Sequence, residues 1–210
     1  MKELLVATRN QGKLREIREL LKDLDLEITS LADYPGLPEI VEDGKTFRAN
    51  AVKKALTISH HTNKLVMGED SGLEVEALDG APGIYSARFA GPFSGVKADD
   101  QKNNAKLLRM LREVPPQKRQ ARYRCFAALA DGKKLIGVVS GSCSGMISRR
   151  AYGKNGFGYD PFFLVPEYNK TFGQLDPQIK AQISHRAKAF KKMKRLFLKE
   201  FSNHVLHAFH

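Results

Sequence analysis

ARYRCFAALADGKKLIGVVSGS, residues 121–142, carries the clearest strand signal in the chain. Ala121 to Ala130 and Lys134 to Ser142 are rich in residues that favour strands, and Asp131-Gly132 between them is a favoured two-residue turn. The stretch therefore predicts an antiparallel β-hairpin, and any sheet built on it contains antiparallel strands.

The beginning of the chain predicts a different unit. Leu4 to Ala7 is a short apolar run, and the polar loop after it is followed by apolar residues at helical spacing: Leu14, Ile17, Leu20, Leu21 and Leu24. A strand followed by a helix is the unit that opens many α/β proteins. Together with the hairpin, it predicts an α/β fold with a mixed, twisted β-sheet flanked by helices.

The remaining elements follow from the same periodicities. Helices are predicted over Thr46–His60, Ala98–Arg112 and Lys180–Lys199, and strands over Leu65–Met67, Leu73–Val75 and Pro161–Val165. The last helix is strongly basic, and its predicted inner face contains Ile183, Ala187, Phe190, Met193, Leu196 and Phe197. Residues 80–95 are rich in Gly and Pro and predict an ordered loop.

Composition limits the class of protein. The 210 residues suffice for one substantial core, and the formal net charge of +12 favours anionic partners such as nucleic acid, membrane lipid or small phosphates. No apolar run is long enough for a spanning helix or a secretory signal, so we expect a cytoplasmic protein without a membrane partner. Cys125 and Cys143 lack metal-ligand spacing and are expected to be buried free thiols.

The segment GEDSG, residues 68–72, places two adjacent carboxylates and a hydroxyl at the predicted end of a buried strand. Such groups are costly to remove from water, and carboxylates there can hold Mg²⁺ or activate a water molecule. Glu42-Asp43 offers a second acidic group ahead of the second helix. The alternatives are a solvent-facing turn for GEDSG and a plain surface loop for Glu42-Asp43.

The loop ATRNQGK, residues 7–13, ends a strand and opens a helix, which predicts a phosphate site at free backbone N–H groups. Thr8 and Asn10 add hydrogen-bonding side chains, and Lys13 adds a cation. The spacing of a Walker A loop is absent, so a structural turn with a helix cap remains an alternative.

Two further motifs could recognise a base. GFGYDPFF, residues 156–163, could present Phe157 as a flat surface and Asp160 as a hydrogen-bond acceptor. ISHR, residues 183–186, offers His185 and Arg186 as donors to carbonyl oxygens, with Lys180 about one turn upstream. The alternatives are aromatic core residues and ordinary surface residues of a helix.

Taken together, these motifs with FRANAVKKA (47–55) and GAPGIYSAR (80–88) resemble the inosine triphosphate pyrophosphatase family, almost from end to end. The resemblance implies hydrolysis of inosine, deoxyinosine and xanthosine triphosphates to the monophosphate and pyrophosphate, with Mg²⁺ as cofactor. It also implies a single domain over residues 1–210, with two lobes and a cleft between them, a homodimer, and no stable nucleic-acid partner.

Residue roles follow from the resemblance, position by position. It implies that Glu42 and Asp70 are metal ligands, and that Asp70 is also the general base, supported by Glu69. It implies that the remaining site residues bind substrate: Thr8, Asn10, Lys13, Lys54, Ser71, Phe157, Gly158, Tyr159, Asp160, Lys180, His185 and Arg186.

Two other readings remain open on the sequence. A basic nucleic-acid-binding protein could use the terminal helix, although this leaves GEDSG unexplained. A closer alternative is a pyrophosphatase for other altered nucleotides, such as modified pyrimidines. The spacing of His204, His207 and His210 could bind adventitious metal, but a frayed terminal segment is the simpler expectation.

Overall fold

The computed structural model describes residues 2–91 and 99–205, with side chains up to residue 201. It contains the following helices and strands: β1 (Lys2–Val6), α1 (Gln11–Leu21), β2 (Leu26–Ser30), α2 (Phe47–Thr62), β3 (Leu65–Val75), α3 (Asp100–Met110), β4 (Gln120–Asp131), β5 (Lys134–Ile147), β6 (Phe163–Val165), β7 (Lys170–Thr171), α4 (Pro177–Ile183) and α5 (His185–Val205).

The strands form one mixed sheet in the order β2-β1-β3-β4-β5-β6-β7. β1 is parallel to β2 and β3, because α1 and α2 return the chain to the same end of the sheet. Every pairing from β3 to β7 is antiparallel. The predicted α/β class and mixed sheet flanked by helices are confirmed.

The opening βα unit forms as predicted. The side chain of Asn10 caps α1 by accepting a hydrogen bond from the backbone N–H of Lys13 (3.0 Å). Leu14, Ile17 and Leu21 are buried on the inner face of the helix. Of the other two residues of the predicted pattern, Leu20 is partly buried, and Leu24 is partly buried and lies beyond the end of α1.

The segment GEDSG lies in the middle of a strand, so its prediction as a strand end is wrong. β3 is continuous from Leu65 to Val75, and Glu69 and Asp70 pair with Ala127 and Phe126 of β4. The glycines that suggest a turn serve packing instead. A Cβ atom added at Gly68 would lie 2.2 Å from the carbonyl oxygen of Ala51 on α2.

The hairpin is confirmed, but its turn lies one residue later than predicted. Asp131 still pairs with Lys134, which leaves Gly132 and Lys133 as the two turn residues. Gly132 has φ of 57°, a conformation that glycine adopts without a steric penalty.

The predicted single helix over Lys180–Lys199 is two helices. Ser184 takes an extended conformation between α4 and α5 (φ −66°, ψ 161°), and its hydroxyl accepts a hydrogen bond from the N–H of Ala187 (3.1 Å). This side-chain bond offers the backbone an alternative to continuing the helix. The predicted inner face is confirmed, with four residues buried and two partly buried: Ala187, Phe190, Met193, Phe197, Ile183 and Leu196.

Two large apolar clusters lie along the sheet. One joins β1, α1 and α5, and the other joins β4, β5 and β6 to α3. Cys125 belongs to the first and Cys143 to the second, and both are buried free thiols as predicted. None of the described helices is long and apolar enough to cross a membrane.

Several boundaries differ from those predicted. α3 begins at Asp100, whereas the predicted start at Ala98 lies outside the described residues. Within the predicted loop over residues 80–95, Gly83–Arg88 forms a short 3₁₀ helix, and residues 92–95 lie outside the described part. The expected role of the histidine tail also falls outside the described side chains.

Replacing Gly68 by alanine is expected to destabilise the protein by about 1–3 kcal/mol, because the new methyl group overlaps the backbone of α2. The control is Gly36→Ala, since a Cβ at Gly36 meets nothing within 4 Å. Urea unfolding of both variants measures the difference. Equal unfolding free energies for the two variants would contradict the close packing of β3 on α2.

Candidate functional site

The centre of the site is the pair of carboxylates on β3. Glu69 and Asp70 are 2% and 4% exposed, so the alternative of a solvent-facing turn is wrong. β1 pairs with β3 only up to Met67, so β3 continues beyond the end of β1. The region beyond the carboxyl end of β1, here called the crevice, corresponds to the place where ligands commonly bind in α/β sheets.

Successive strand residues face opposite sides of a sheet, and the partners of the two carboxylates differ accordingly. Asp70 meets α2, where Lys54 Nζ lies 3.3 Å from its Oδ1. Lys54 Nζ also contacts Oε1 of Glu42 at 2.8 Å and donates to the carbonyl oxygen of Glu69 at 3.2 Å. One buried ammonium group therefore holds Glu42 and Asp70 together.

The environments of Asp70 and Glu42 shift their pKa values in opposite directions. Burial raises the pKa of Asp70, although Lys54 and Lys13 act against the shift. Burial also acts on Glu42, but the ion pair with Lys54 outweighs it and lowers the pKa of Glu42. Asp70 is thus the carboxylate that binds a proton more readily.

Asn50 is part of this cluster and was missed in the sequence analysis. Its Nδ2 donates to Oδ2 of Asp70 (3.1 Å), and its Oδ1 accepts from the N–H of Gly44 (2.8 Å). It therefore ties the Glu42 loop to β3. Its position could have identified it, because Asn50 lies four residues before Lys54 and therefore on the same face of α2.

The carboxylates of Glu42 and Asp70 fit the expected divalent cation, because both converge on a point now held by a cation, Lys54 Nζ. Hard oxygen donors are what Mg²⁺ prefers, and substrate phosphates and water commonly complete its shell. No group of three or more potential ligands among His, Cys, Asp and Glu is found in the described residues.

Glu69 points to the other face, towards α1 and α5. Its Oε2 lies 2.7 Å from Lys13 Nζ, and its Oε1 accepts from Nη2 of Arg186 at 3.1 Å. Burial opposes its ionisation, but the two cations outweigh it and hold the pKa of Glu69 well below its usual range. Arg186 also donates to the hydroxyl of Ser71 (2.9 Å), so Ser71 is in the site.

Glu16 extends this chain of charges and was also missed. It lies one turn after Lys13 on α1 and accepts hydrogen bonds from Arg186 and from Lys180 (2.7 Å for Lys180). Lys180 Nζ in turn contacts Oδ2 of Asp160 at 2.6 Å. Alternating charges thus connect Lys13 to Asp160 through the interior.

The loop around Phe157 is positioned by α3. Asp100 accepts a hydrogen bond from the N–H of Gly158 (2.8 Å), and Asn104 donates to the Gly158 carbonyl (3.0 Å). Asp160 Oδ2 closes the turn by accepting from the N–H of Phe157 (2.8 Å). The hydroxyl of Tyr159 donates to the Ser86 carbonyl (2.7 Å), so this buried side chain fastens the loop to the core.

Phe157 borders a cavity of about 250 Å³ between α1 and α4. Lys180 Nζ lies 5.2 Å from the centre of the ring, and Arg186 Cζ lies 5.8 Å from it. The half-buried ring is therefore flanked by donors. Glu16 and Lys180 also line the cavity.

The loop before α1 supplies the remaining predicted residues. The hydroxyl of Thr8 accepts from the N–H of Asn10 (3.1 Å), and Asn10 caps the helix. The positive end of α1 therefore lies beside Lys13 and the crevice, as an anion site requires.

His185 is buried and stacks on Tyr123, with ring centres 4.6 Å apart. Its Nδ1 has no hydrogen-bond partner among the described residues. Burial, then the charges of Arg186 and Lys180, hold the pKa of His185 well below its usual range. The ring is therefore neutral at physiological pH.

The neutral state of His185 predicts a loss of stability in acid. The pKa of His185 is lower in the folded state than in the unfolded state, where it is about 6.5. The contribution of His185 to folding stability is therefore complete above the unfolded pKa and is lost as the pH falls towards the folded pKa. Wild type is expected to lose unfolding free energy when the pH is lowered from 7.5 to 5. In His185→Gln, which lacks this titrating group, the loss is expected to be smaller by about 1–2 kcal/mol. Urea titrations at both pH values test this, and parallel losses would contradict it.

Comparisons with known proteins agree with this geometry. A dITP/XTP pyrophosphatase of Desulforamulus reducens is 51% identical over 90% of this chain and 92% of its own. One from Bacillus cereus is 47% identical over 92% and 93%. The solved structure of a HAM1 protein from Coxiella burnetii has a TM-score of 0.83 at 36% identity, covering 95% of this chain and all of that one.

The family-level match covers nearly the whole chain. The sequence profile of the Ham1 family matches residues 4–196. This range includes the residues around the crevice, the Phe157 loop, all of α1, and α5 up to Leu196. The chain therefore belongs to the Ham1 family.

Proposed function

We propose that this protein hydrolyses deoxyinosine, inosine and xanthosine triphosphates to the monophosphate and pyrophosphate, and so removes altered purines from the nucleotide pool. The observation that carries the proposal is the cluster of Asp70, Glu42 and Lys54 in a crevice beside the positive end of α1. The names of the relatives, dITP/XTP pyrophosphatase, support the same substrates.

The phosphates would lie at the start of α1. The positive end of α1, with Thr8 and Asn10, would contact phosphate oxygens, while Lys13 and Lys54 supply positive charge on the two faces of β3. Lys180 would add a contact where the Phe157 pocket meets this region. The two ends of a nucleotide thus have separate binding regions.

Asp70 is proposed as the general base. A water oxygen attacks the α-phosphorus, its proton passes to the Asp70 carboxylate, and the bond to the β-phosphate oxygen breaks to release pyrophosphate. Glu69 supports the site by holding Lys13 and Arg186. Glu42 and Asp70 would hold Mg²⁺, which when bound would neutralise phosphate charge.

The pocket beside Phe157 suits an oxo-purine. Arg186 and its neighbour His185 are the donors proposed to face the acceptor oxygen at C6 of hypoxanthine or xanthine, whereas the amino group of adenine would leave them unpaired. A buried mismatch of that kind costs about 1–3 kcal/mol. His185 and Arg186 are both nearly fully buried, so their proposed contacts with the base require access from this pocket.

The wider organisation is also proposed. We expect one domain over residues 1–210, with the two apolar clusters as the cores of two lobes, and we expect a cytoplasmic homodimer. Gel filtration with light scattering tests the dimer, and a monomeric mass would contradict it.

Pyrophosphate release tests the activity directly. With Mg²⁺, release from deoxyinosine and xanthosine triphosphates is expected to exceed release from dATP by about tenfold or more, which corresponds to the mismatch energy above. A modified pyrimidine triphosphate tests the other substrate class. Equal turnover of dATP and deoxyinosine triphosphate would contradict the proposed selectivity.

Asp70→Asn is expected to lower kcat by at least about 100-fold, because general-base catalysis typically contributes that much, while the buried site keeps its shape. The matched control is Asp43→Asn, since Asp43 forms an exposed ion pair with Lys53 (2.6 Å) outside the crevice. Steady-state kinetics and urea unfolding are measured for both. Near-normal turnover of a folded Asp70→Asn variant would refute the base assignment.

A further inference from the structure

The basic face of α5 from Lys188 onwards is a feature that the proposed nucleotide hydrolysis does not use. α5 and the β4–β5 hairpin border a surface groove of about 630 Å³, on different residues from those of the crevice and the Phe157 pocket. The described residues that line it include six cationic side chains and no acidic one: Arg122, Arg124, Lys188, Lys191, Lys192 and Arg195. A groove of this charge calls for an anionic occupant.

The groove exists because α5 lies directly on β5. A Cβ atom at Gly141 would come within 2.3 Å of the His185 carbonyl oxygen and 2.5 Å of the Ala189 nitrogen, so only glycine permits this approach. It brings the lysines of the helix beside the strand, where Lys192 Nζ donates to the carbonyl oxygen of Ser140 (2.7 Å). The position of the cations is thus set by the core.

The charge in the groove is largely uncompensated. One carboxylate, that of Glu74, contacts Arg122 at 2.7 Å and Arg124 at 3.3 Å and so orients both guanidinium groups. The exposed side chains of Lys188, Lys191 and Arg195 have no acidic partner among the described residues. Their mutual repulsion would be relieved by bound negative charge.

The residues that line the groove limit which anionic partner can bind there. A second copy of this chain related by a two-fold axis would place these cations against each other. No aromatic residue of the described part lines the groove, so bases could not stack there, whereas lysine ammonium groups and serine hydroxyls suit phosphate oxygens. A concave surface also fits a strand better than a flat membrane.

We propose that this groove binds the phosphate backbone of single-stranded nucleic acid without reading its sequence. The resemblance to nucleotide pyrophosphatases implies no stable nucleic-acid partner, and the groove argues against that expectation. The proposal is independent of the hydrolytic activity, since none of the groove residues belongs to the catalytic or nucleotide-binding set.

The test is binding of a fluorescein-labelled, mixed-sequence DNA strand of about 20 nucleotides, followed by fluorescence anisotropy over a range of salt concentrations. The groove variant is the triple substitution Lys188→Glu, Lys191→Glu and Arg195→Glu. We expect it to bind at least tenfold more weakly than wild type. We also expect the slope of log K against log salt to become shallower by about 2, because three phosphate contacts are lost.

The matched control changes three exposed lysines outside the groove by the same charge: Lys102→Glu, Lys118→Glu and Lys170→Glu. It is expected to bind nearly as wild type, and both variants are expected to keep normal pyrophosphate release. If the groove variant does not fold, the corresponding glutamine substitutions replace it, with a smaller loss of affinity in the same direction.

Three results would overturn the proposal. Wild type could fail to bind the strand at physiological salt, or both triple variants could lose affinity equally, which would indicate attraction to net charge alone. Inorganic polyphosphate could displace the strand at far lower phosphate concentration than unlabelled DNA does, which would assign the groove to free phosphate chains instead.

Discussion

The burial of two adjacent carboxylates in the middle of β3 is the constraint on which the rest of the site depends. An ionised carboxylate without partners is too costly to hold in a protein interior, so Glu69 and Asp70 require cations and donors. These come from three helices: Lys13 from α1, Lys54 from α2 and Arg186 from α5. The charges of one strand therefore help to fix where the surrounding helices lie.

The alternation of side chains along a strand divides this requirement into two. Asp70 meets α2 and the Glu42 loop, whereas Glu69 meets α1 and α5. β1 stops at Val6, so both clusters lie beside the region beyond its end, the crevice. A triphosphate there could contact the cations of both faces, which neither cluster provides alone.

Local patterns predicted most of the elements, because periodicity reports which residues are buried. β1, α1, α2, the hairpin and the inner face of α5 all follow from it. The continuity of β3 did not, since Gly68 and Gly72 resemble turn residues until their contacts with α2 and the 3₁₀ helix are known. The break at Ser184 depends on one side-chain hydrogen bond that no periodicity reveals.

The residues of the site were likewise predicted only in part. Carboxylates and lysines in short motifs could be named from the sequence, and the resemblance supplied their roles. Asn50 and Glu16 were not identified as site residues from the sequence, because their hydrogen-bond partners are far away in the chain. Glu16, for example, contacts Arg186, 170 positions later.

A double-mutant cycle on Glu69 and Arg186 tests the central claim, that this buried charge pair holds α5 to β3. The unfolding free energies of Glu69→Gln, Arg186→Met and the double variant are compared with wild type. Each single change removes one of the two ionic partners of the remaining charge, because Glu69 still contacts Lys13 and Arg186 still contacts Glu16. Each is expected to cost up to about 3–5 kcal/mol, with the double variant less destabilised than the sum by about 1–3 kcal/mol. Additive effects would mean that the two side chains stabilise the fold independently, which would contradict the claim that their pairing holds α5 to β3.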